Sequence, residues 1–200
     1  MHDTPEIKNK VEYRKRLKSL LNNSHIEKDS DERLIKNLNA VFNSHFKSFP
    51  NKKLLIGVFA PIQDEPKILR HLQKWDDHLC FPAILRESQM VFKKSKIPDL
   101  VAVKNFGTEI LCPAEECEIV EPDVVLVPGL GFTEQGMRLG RGKGFYDRYL
   151  EKYKGLIIGI GFDLQIEKKL PTDHHDQNMN LIVTEKRVID CRKNIKTIKE

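Results

Sequence analysis

The sequence is poor in the features that mark membrane proteins, secreted proteins and small metal scaffolds. It has no apolar run near the roughly 20 residues that a bilayer-spanning helix requires. Its first residues, Met-His-Asp-Thr-Pro-Glu, lack the basic and then apolar regions of a signal peptide. Of its four cysteines only Cys112 and Cys117 lie close together, so we expect neither a disulfide framework nor a structural zinc site. These absences predict a cytoplasmic protein with reduced thiols.

What is present fits a small globular protein with an uneven charge. Its 200 residues are 40% hydrophobic and 32% charged, as expected for a single domain. Residues 1–53 hold twelve Lys/Arg and seven Asp/Glu, which accounts for the whole formal net charge of +5. Such a basic face could attract nucleic acid, a phosphate-bearing cofactor or an acidic small molecule, or it could be a solvated helix surface.

Apolar periodicity predicts helices at the start of the chain. Apolar residues recur at helical spacing over residues 6–22, which predicts a first helix. A second apolar stripe that ends at Phe46 predicts another helix, with Ser30 as its N-cap. Pro66 is placed to begin a helix that reaches about Trp75, where the only tryptophan would lie in the core.

The apolar runs that follow are typical of strands covered on both faces. We predict strands at 54–60, 79–84, 89–94, 123–127, 156–162 and 181–184, a helix over 145–153, and loops with short extended pieces over 95–121. Strand, helix and strand in succession indicate an α/β domain with a largely parallel sheet between helices. Because such sheets bind ligands beyond the carboxyl ends of their strands, the loops after Ala60, Val127 and Phe162 should share one rim.

The most informative segment follows the strand that ends at Val127. Glycines alternate with cations and lead into the helix predicted at Phe145, and the positive residues around this turn are Arg138, Arg141, Lys143 and Arg148. Glycines at 140, 142 and 144 allow close backbone approach, so the turn suits a polyphosphate. The segment matches neither the Walker A pattern nor G-x-G-x-x-G, and a flexible basic turn is the alternative interpretation.

The longer run resembles the signature of the 5-formyltetrahydrofolate cyclo-ligase family, also called methenyltetrahydrofolate synthetases. The resemblance rests on Pro-Gly-Leu-Gly-Phe at 128–132 and on Gly-Met-Arg-Leu-Gly-Arg-Gly-Lys-Gly-Phe-Tyr-Asp-Arg at 136–148. Further anchors are Lys10-Val-Glu-Tyr-Arg14, the 59–65 segment that ends in Glu65, and the 170–184 portion. Together they cover almost the whole chain. The resemblance implies one Rossmann-like three-layer domain over residues 1–200, similar to sugar-phosphate isomerases and CoA transferases.

It also implies an activity: ATP-dependent closure of 5-formyltetrahydrofolate to 5,10-methenyltetrahydrofolate through a phosphorylated formyl (imidate phosphate) intermediate. Phosphoryl transfer needs alignment, cations and Mg²⁺ more than a protein nucleophile, and the sequence shows no obvious nucleophile. The substrates implied are ATP and 5-formyltetrahydrofolate, with or without a polyglutamate tail, and we expect a monomer that binds neither nucleic acid nor a membrane.

The resemblance assigns residues to each ligand. It places the ATP phosphates against Lys10, Arg14, Arg138, Leu139, Gly140, Arg141, Gly142, Lys143, Gly144, Phe145 and Tyr146, with Lys143 and Arg148 as catalytic residues. It makes Asp147 and Asp176 ligands of Mg²⁺, although Asp147 would also suit the first turn of a helix structurally.

On the folate side, Glu65 matches the glutamate that holds the pterin ring, since a carboxylate accepts two hydrogen bonds from an amino-pyrimidine edge. Phe59, Ala60 and Tyr146 would supply apolar and aromatic surface, and we expect Glu65 to act separately from the phosphate-facing cations.

Two departures from the family pattern stand out. Thr133 replaces the usual Asp, with Glu134 as a substitute for it, and the 106–113 stretch carries about two extra residues, so we assign it no folate contact. We interpret His174 and His175 as loop residues rather than zinc ligands. The competing hypotheses are a non-catalytic folate- or nucleic-acid-binding protein and a sugar-phosphate isomerase on a related fold.

Overall fold

A computed structural model describes residues 5–49, 52–85, 89–105, 108–171 and 177–193. Its helices are α1 (Pro5–Asn23), α2 (Ser30–Lys47) and the short α3 (Phe145–Leu150). The first two agree with the predicted helices. The N-cap prediction was one residue off, because Asp29 takes the cap position without a side-chain cap bond and Ser30 is buried in the first turn.

Eight strands form one mostly parallel sheet, in the order β13-β12-β10-β7-β1-β2-β3-β6. They are β1 (Ile56–Gly57), β2 (Leu79–Ile84), β3 (Met90–Lys94), β6 (Ile119–Val120), β7 (Val124–Pro128), β10 (Leu156–Ile160), β12 (Leu181–Val183) and β13 (Val188–Asp190). The five strands from β12 to β2 run parallel, and the remaining pairings are antiparallel. The predicted α/β class and largely parallel sheet are therefore confirmed.

Helices cover both faces of this sheet because its central strands are apolar on both sides. In β7, Val124 and Leu126 join the core under α2, whereas Val125 and Val127 join the core on the α3 side. The described side chains of helix α1 are in neither of these two core clusters. Its Leu17 lies in a third cluster, with Leu130 and Phe162 from the segments that follow β7 and β10.

Two smaller sheets were not predicted. One is the hairpin of β4 (Val101–Asn105) and β5 (Thr108–Cys112), and the other joins β8 (Gly131–Thr133), β9 (Arg138–Leu139) and β11 (Ile166–Glu167). The prolines and Gly107 of the first region favoured a loop, and the strands of the second sheet are two or three residues long, too short to show periodicity.

Several predicted elements are shorter in the structure. The strand expected over 54–60 pairs regularly only at Ile56–Gly57, although its neighbouring residues are buried. The helix expected from Pro66 is replaced by 3-10 turns at Leu69–His71 and Gln73–His78, and α3 ends at Leu150 rather than 153. Trp75 is partly buried against the core, as predicted, and its indole N–H donates to Asn39. Within the described ranges, no helix is long and apolar enough to cross a membrane.

Candidate active site

A cavity of about 240 Å³ opens beyond the carboxyl ends of β1 and β7. Its walls come from the segment after β1, the start of the loop after β7, the glycine loop, the beginning of α3 and the β4–β5 hairpin. The lining residues are Phe59, Ala60, Ile62, Glu65, Pro82, Ile110, Leu111, Cys112, Pro128, Gly129, Arg138, Gly140, Arg141, Gly142, Lys143, Gly144, Phe145, Tyr146 and Asp147. The prediction that the loops after Ala60 and Val127 share a rim is therefore confirmed. The loop after Phe162 adjoins them, since the Gln165 amide donates to the Gly129 and Leu130 carbonyls.

The glycine loop depends on backbone conformations that side chains disfavour. Gly142 and Gly144 have φ of +93° and +67°, in the left-handed region. A Cβ on Gly142 would also lie 3.2 Å from Cζ of Arg14. Arg14 approaches from α1 and donates from Nε to the Gly140 carbonyl at 3.0 Å, so the first helix braces this loop directly.

Arg138 anchors the entrance to α3. Its guanidinium is 5% exposed, donates to the Pro128 carbonyl at 3.0 Å and forms an ion pair with Asp147. Its Cζ lies 5.7 Å from the centroid of the Tyr146 ring. Because a buried cation needs such partners, the pair with Asp147 fixes both side chains at the cavity wall.

Arg141 connects the glycine loop to the segment after β1. Its Nε donates to Glu65 at 3.1 Å, and Nη2 donates to Asp64. The other Glu65 oxygen accepts from the Ile62 amide at 3.1 Å. Glu65 therefore contacts one of the cations expected to face the phosphates, and its separate action in folate binding stays a prediction. The sequence placed the two loops on one rim but did not predict this ion pair.

Burial perturbs the acids of this cavity. It raises the pKa of Glu65 above its usual range, an effect that the neighbouring positive charge of Arg141 opposes without cancelling. Burial also raises the pKa of Tyr146, and the negative charge of Glu65 adds to that effect. Tyr146 is therefore a neutral phenol at every physiological pH, with its hydroxyl oxygen buried.

Some predicted site residues lie off the cavity wall. Leu139 is buried in the core around Leu17, so its side chain cannot contact a ligand in the cavity. Lys10 is buried on α1, one helical turn from Arg14, and is not part of the lining. Arg148 donates to the Lys143 carbonyl and borders a separate groove beside β3.

The structure shows what Thr133 and Glu134 contact at the first departure from the family pattern. Thr133 is fully buried, and its hydroxyl accepts from the Met137 amide at 3.3 Å within the β8–β9 turn. Glu134 forms an ion pair with Arg187 at 2.7 Å and does not line the cavity, so it does not stand in for the missing Asp. Asp176, His174 and His175 lie outside the described residues.

The sequence reasoning missed two contributors. The β4–β5 hairpin brings Ile110, Leu111 and Cys112 to the cavity, although this stretch was assigned no ligand contact. A signal was available, since two apolar runs separated by a short segment with a glycine are typical of a hairpin. Asp64 was also overlooked, and a single carboxylate beside Glu65 carries no such signal.

The cavity joins a cationic, glycine-lined side to an apolar side that holds one buried carboxylate. Such a site can bind an anionic group and a flat polar ring system next to each other. In the part of the chain that the structure describes, no three His, Cys, Asp or Glu side chains converge as a metal centre. The four cysteines are free thiols in the structure.

Comparison with known proteins gives one consistent result. Residues 6–185 match the model of the 5-formyltetrahydrofolate cyclo-ligase family. The chain is 39% identical to the 5-formyltetrahydrofolate cyclo-ligase of Mus musculus over 69 residues, which are 32% of this chain and 34% of the mouse protein. It is 28% identical to the one of Mycoplasma genitalium over 166 residues, 73% of this chain and 88% of that protein. The solved structure of Aquifex aeolicus 5,10-methenyltetrahydrofolate synthetase superposes with a TM-score of 0.73 at 29% identity, covering 96% of each chain.

Proposed function

The chain belongs to the 5-formyltetrahydrofolate cyclo-ligase family, and from that premise we propose that it converts 5-formyltetrahydrofolate to 5,10-methenyltetrahydrofolate at the expense of ATP. The observation that carries the proposal is that the glycine loop of residues 140–144 and the buried Glu65 open onto the same cavity. A reaction that joins a phosphoryl donor to a folate needs both ligands within bonding distance.

The reaction proceeds in two steps. The formyl oxygen attacks the γ-phosphorus of ATP, the bond to the bridging oxygen breaks, and ADP leaves. N10 then attacks the formyl carbon, phosphate departs with the former formyl oxygen, and N10 loses its proton. The phosphate is a far better leaving group than the unmodified oxygen.

The described residues divide this work. Arg141 and Lys143 face the phosphates from the glycine loop, where they stabilise the charge on the transferring group. Arg14 holds the loop in shape through the Gly140 carbonyl. Glu65 accepts from the amino-pyrimidine edge of the pterin, and the apolar side chains of the β4–β5 hairpin cover the ring.

Magnesium fits the phosphate side of the cavity. Asp147 lies on the wall beside the glycine loop, and an ionised carboxylate that accepts one bond from Arg138 retains further acceptor sites for a hard cation. We assign Asp147 as the protein ligand in the described part of the chain, with Asp176 as the second. Bound Mg²⁺ would neutralise phosphate charge during the transfer.

Membership of the family also supports proposals on the oligomeric state, the location, the substrates and the fold relationship of the protein. We propose a monomer in the cytoplasm that uses ATP with 5-formyltetrahydrofolate or its polyglutamates. We propose also that the three layers are related to those of sugar-phosphate isomerases and CoA transferases.

The direct test mixes the protein with 5-formyltetrahydrofolate and Mg-ATP and follows the near-UV absorbance of the methenyl product. We expect product only when both substrates are present. If folded protein forms no product above the protein-free control, the proposal is refuted. That result would favour a non-catalytic folate-binding role. Turnover of a sugar phosphate without ATP would instead support the isomerase alternative.

A further inference from the structure

Arg141 is shared between two carboxylates, and only one of them has a role in the proposed reaction. Its Nε bonds to Glu65 at 3.1 Å and its Nη2 bonds to Asp64. The side chains of Asp64 and Glu65 are 13% and 8% exposed, and that of Arg141 is 27% exposed. Asp64 does not line the cavity. Asp64 therefore affects the cavity through its bond to Arg141, and not by touching a ligand.

This sharing creates a conflict if Glu65 is to bind a ring. One Glu65 oxygen accepts from the Ile62 amide and the other from Arg141, so both oxygens are engaged in the absence of ligands. An amino-pyrimidine edge would need both oxygens at once. Each carboxylate oxygen has two acceptor sites, so the ring edge and Arg141 would share one oxygen, and this sharing weakens the bond between Arg141 and Glu65.

Weakening that bond is costly unless the guanidinium has another partner. A partly buried cation that loses its only carboxylate is left with an uncompensated charge. Asp64 supplies the second carboxylate on the same guanidinium, and it borders a different groove from the cavity. Arg141 can therefore loosen its contact with Glu65 and remain paired.

We propose that Asp64 is a positioning residue that holds the guanidinium of Arg141. Glu65 can then accept the folate ring while that guanidinium keeps its place at the glycine loop. The inference rests on the proposed function of the cavity. It adds a residue that touches neither substrate, and it couples the folate side of the site to the nucleotide side through one guanidinium.

The proposal predicts that a change at Asp64 weakens the binding of the folate without weakening the binding of Mg-ATP. In Asp64→Asn, Arg141 keeps only Glu65 as an ionic partner, so Glu65 is harder to free and 5-formyltetrahydrofolate should bind about fivefold or more weakly. The same change removes one negative charge next to the phosphate-facing cations, so Mg-ATP should bind as tightly as before or more tightly. A general loosening of the fold would weaken both ligands.

The test measures the dissociation constant of each ligand alone by calorimetry, and then kcat and KM, for the wild type and for Asp64→Asn, Asp64→Glu and one control variant. The matched control is Asp123→Asn, which removes the same charge from a carboxylate that is 21% exposed and paired with Lys52. Asp123 precedes β7, about 16 Å along the strand from the cavity. Both affinities should stay at the wild-type values in this control.

The outcomes separate this inference from the function itself. A raised Kd and KM for the folate in Asp64→Asn, with unchanged or tighter Mg-ATP binding and partial recovery in Asp64→Glu, supports the positioning role. Wild-type folate affinity in Asp64→Asn, or equal weakening of both ligands, overturns it while leaving the cyclo-ligase activity intact. If wild-type protein turned over nothing, the proposed function would fail first.

Discussion

At the scale of single residues, Glu65 is a carboxylate buried at the expense of stability, as its proposed role in folate binding would require. Its carboxylate is 8% exposed, and its pKa is raised because burial outweighs the attraction of Arg141. A carboxyl whose pKa is higher in the folded than in the unfolded chain favours folding below the ordinary pKa. That contribution is lost as the pH rises through the raised value.

We therefore expect Glu65→Gln to stabilise the free protein at neutral pH and to make its stability less dependent on pH in the range above the ordinary pKa of a glutamate. The same variant should bind 5-formyltetrahydrofolate about tenfold or more weakly, because a charge-assisted bond is lost. Thermal melting over this pH range and calorimetry with the folate check the two effects. A destabilised variant, or one with normal folate affinity, would contradict this account of Glu65.

The two cations of the glycine loop should behave differently from each other. Lys143 is exposed, so Lys143→Ala should keep its stability and lose affinity for Mg-ATP by about tenfold or more. Arg141→Ala should lose the same affinity and also about 1–3 kcal/mol of stability, because Glu65 and Asp64 lose their common partner.

Thermal shift with and without Mg-ATP measures both effects, with Lys152→Ala as the control for an exposed lysine off the cavity. An unchanged nucleotide-induced shift in Lys143→Ala and Arg141→Ala would remove both residues from the phosphate site.

At the scale of residues, the sequence predicted which side chains line the cavity better than it predicted which side chains contact each other. The motif placed Arg138, Arg141 and Lys143 at one turn, and the structure confirms that all three line the cavity. The pairs Arg138–Asp147 and Arg141–Glu65 were not foreseen. The second pair joins residues 76 positions apart, and its geometry depends on how the two loops meet in three dimensions.

At the scale of elements, the β4–β5 hairpin is the part of the site that lies outside the main sheet. Its Leu111 and Val103 are 42% and 41% exposed, yet only Leu111 lines the cavity. An apolar side chain that stays half exposed on a cavity wall gains burial when a ring system binds against it.

We expect Leu111→Ser to raise the KM for 5-formyltetrahydrofolate severalfold while the KM for ATP and the melting temperature change little. Val103→Ser is the matched control in the same hairpin with the same exposure, and it should leave both KM values unchanged. Steady-state kinetics with each substrate varied in turn checks this. Equal effects of the two variants would show that the hairpin does not contact the folate.

The elements that sequence periodicity predicted best are the long or fully apolar ones. Helices α1 and α2 and strands β2, β7 and β10 agree with prediction to within a few residues, because each repeats its apolar pattern over several positions. The hairpin and the small β8–β9–β11 sheet consist of strands of two to five residues whose pairing is decided by tertiary contacts.

At the scale of the whole molecule, the order of the strands determines where the chemistry takes place. Strands β1 and β7 are parallel neighbours in the sheet, so the segment that carries Glu65 and the loop that leads to Arg138 leave it at the same edge. Helix α1 then crosses beyond that edge and braces the glycine loop through Arg14. The sequence predicted the shared edge from the parallel-sheet rule, and the family resemblance placed Arg14 near the glycine loop. The bond from Arg14 to the Gly140 carbonyl is seen only in the structure.

In the proposed reaction, this cavity brings the formyl oxygen to the γ-phosphorus of ATP. The most direct measurement uses 5-formyltetrahydrofolate labelled with ¹⁸O in the formyl group and determines by mass spectrometry where the label resides after turnover in unlabelled water. We expect the label to appear in inorganic phosphate, with one ADP formed for each methenyl product. Label released as water, with unlabelled phosphate, would contradict transfer of the phosphoryl group to the formyl oxygen.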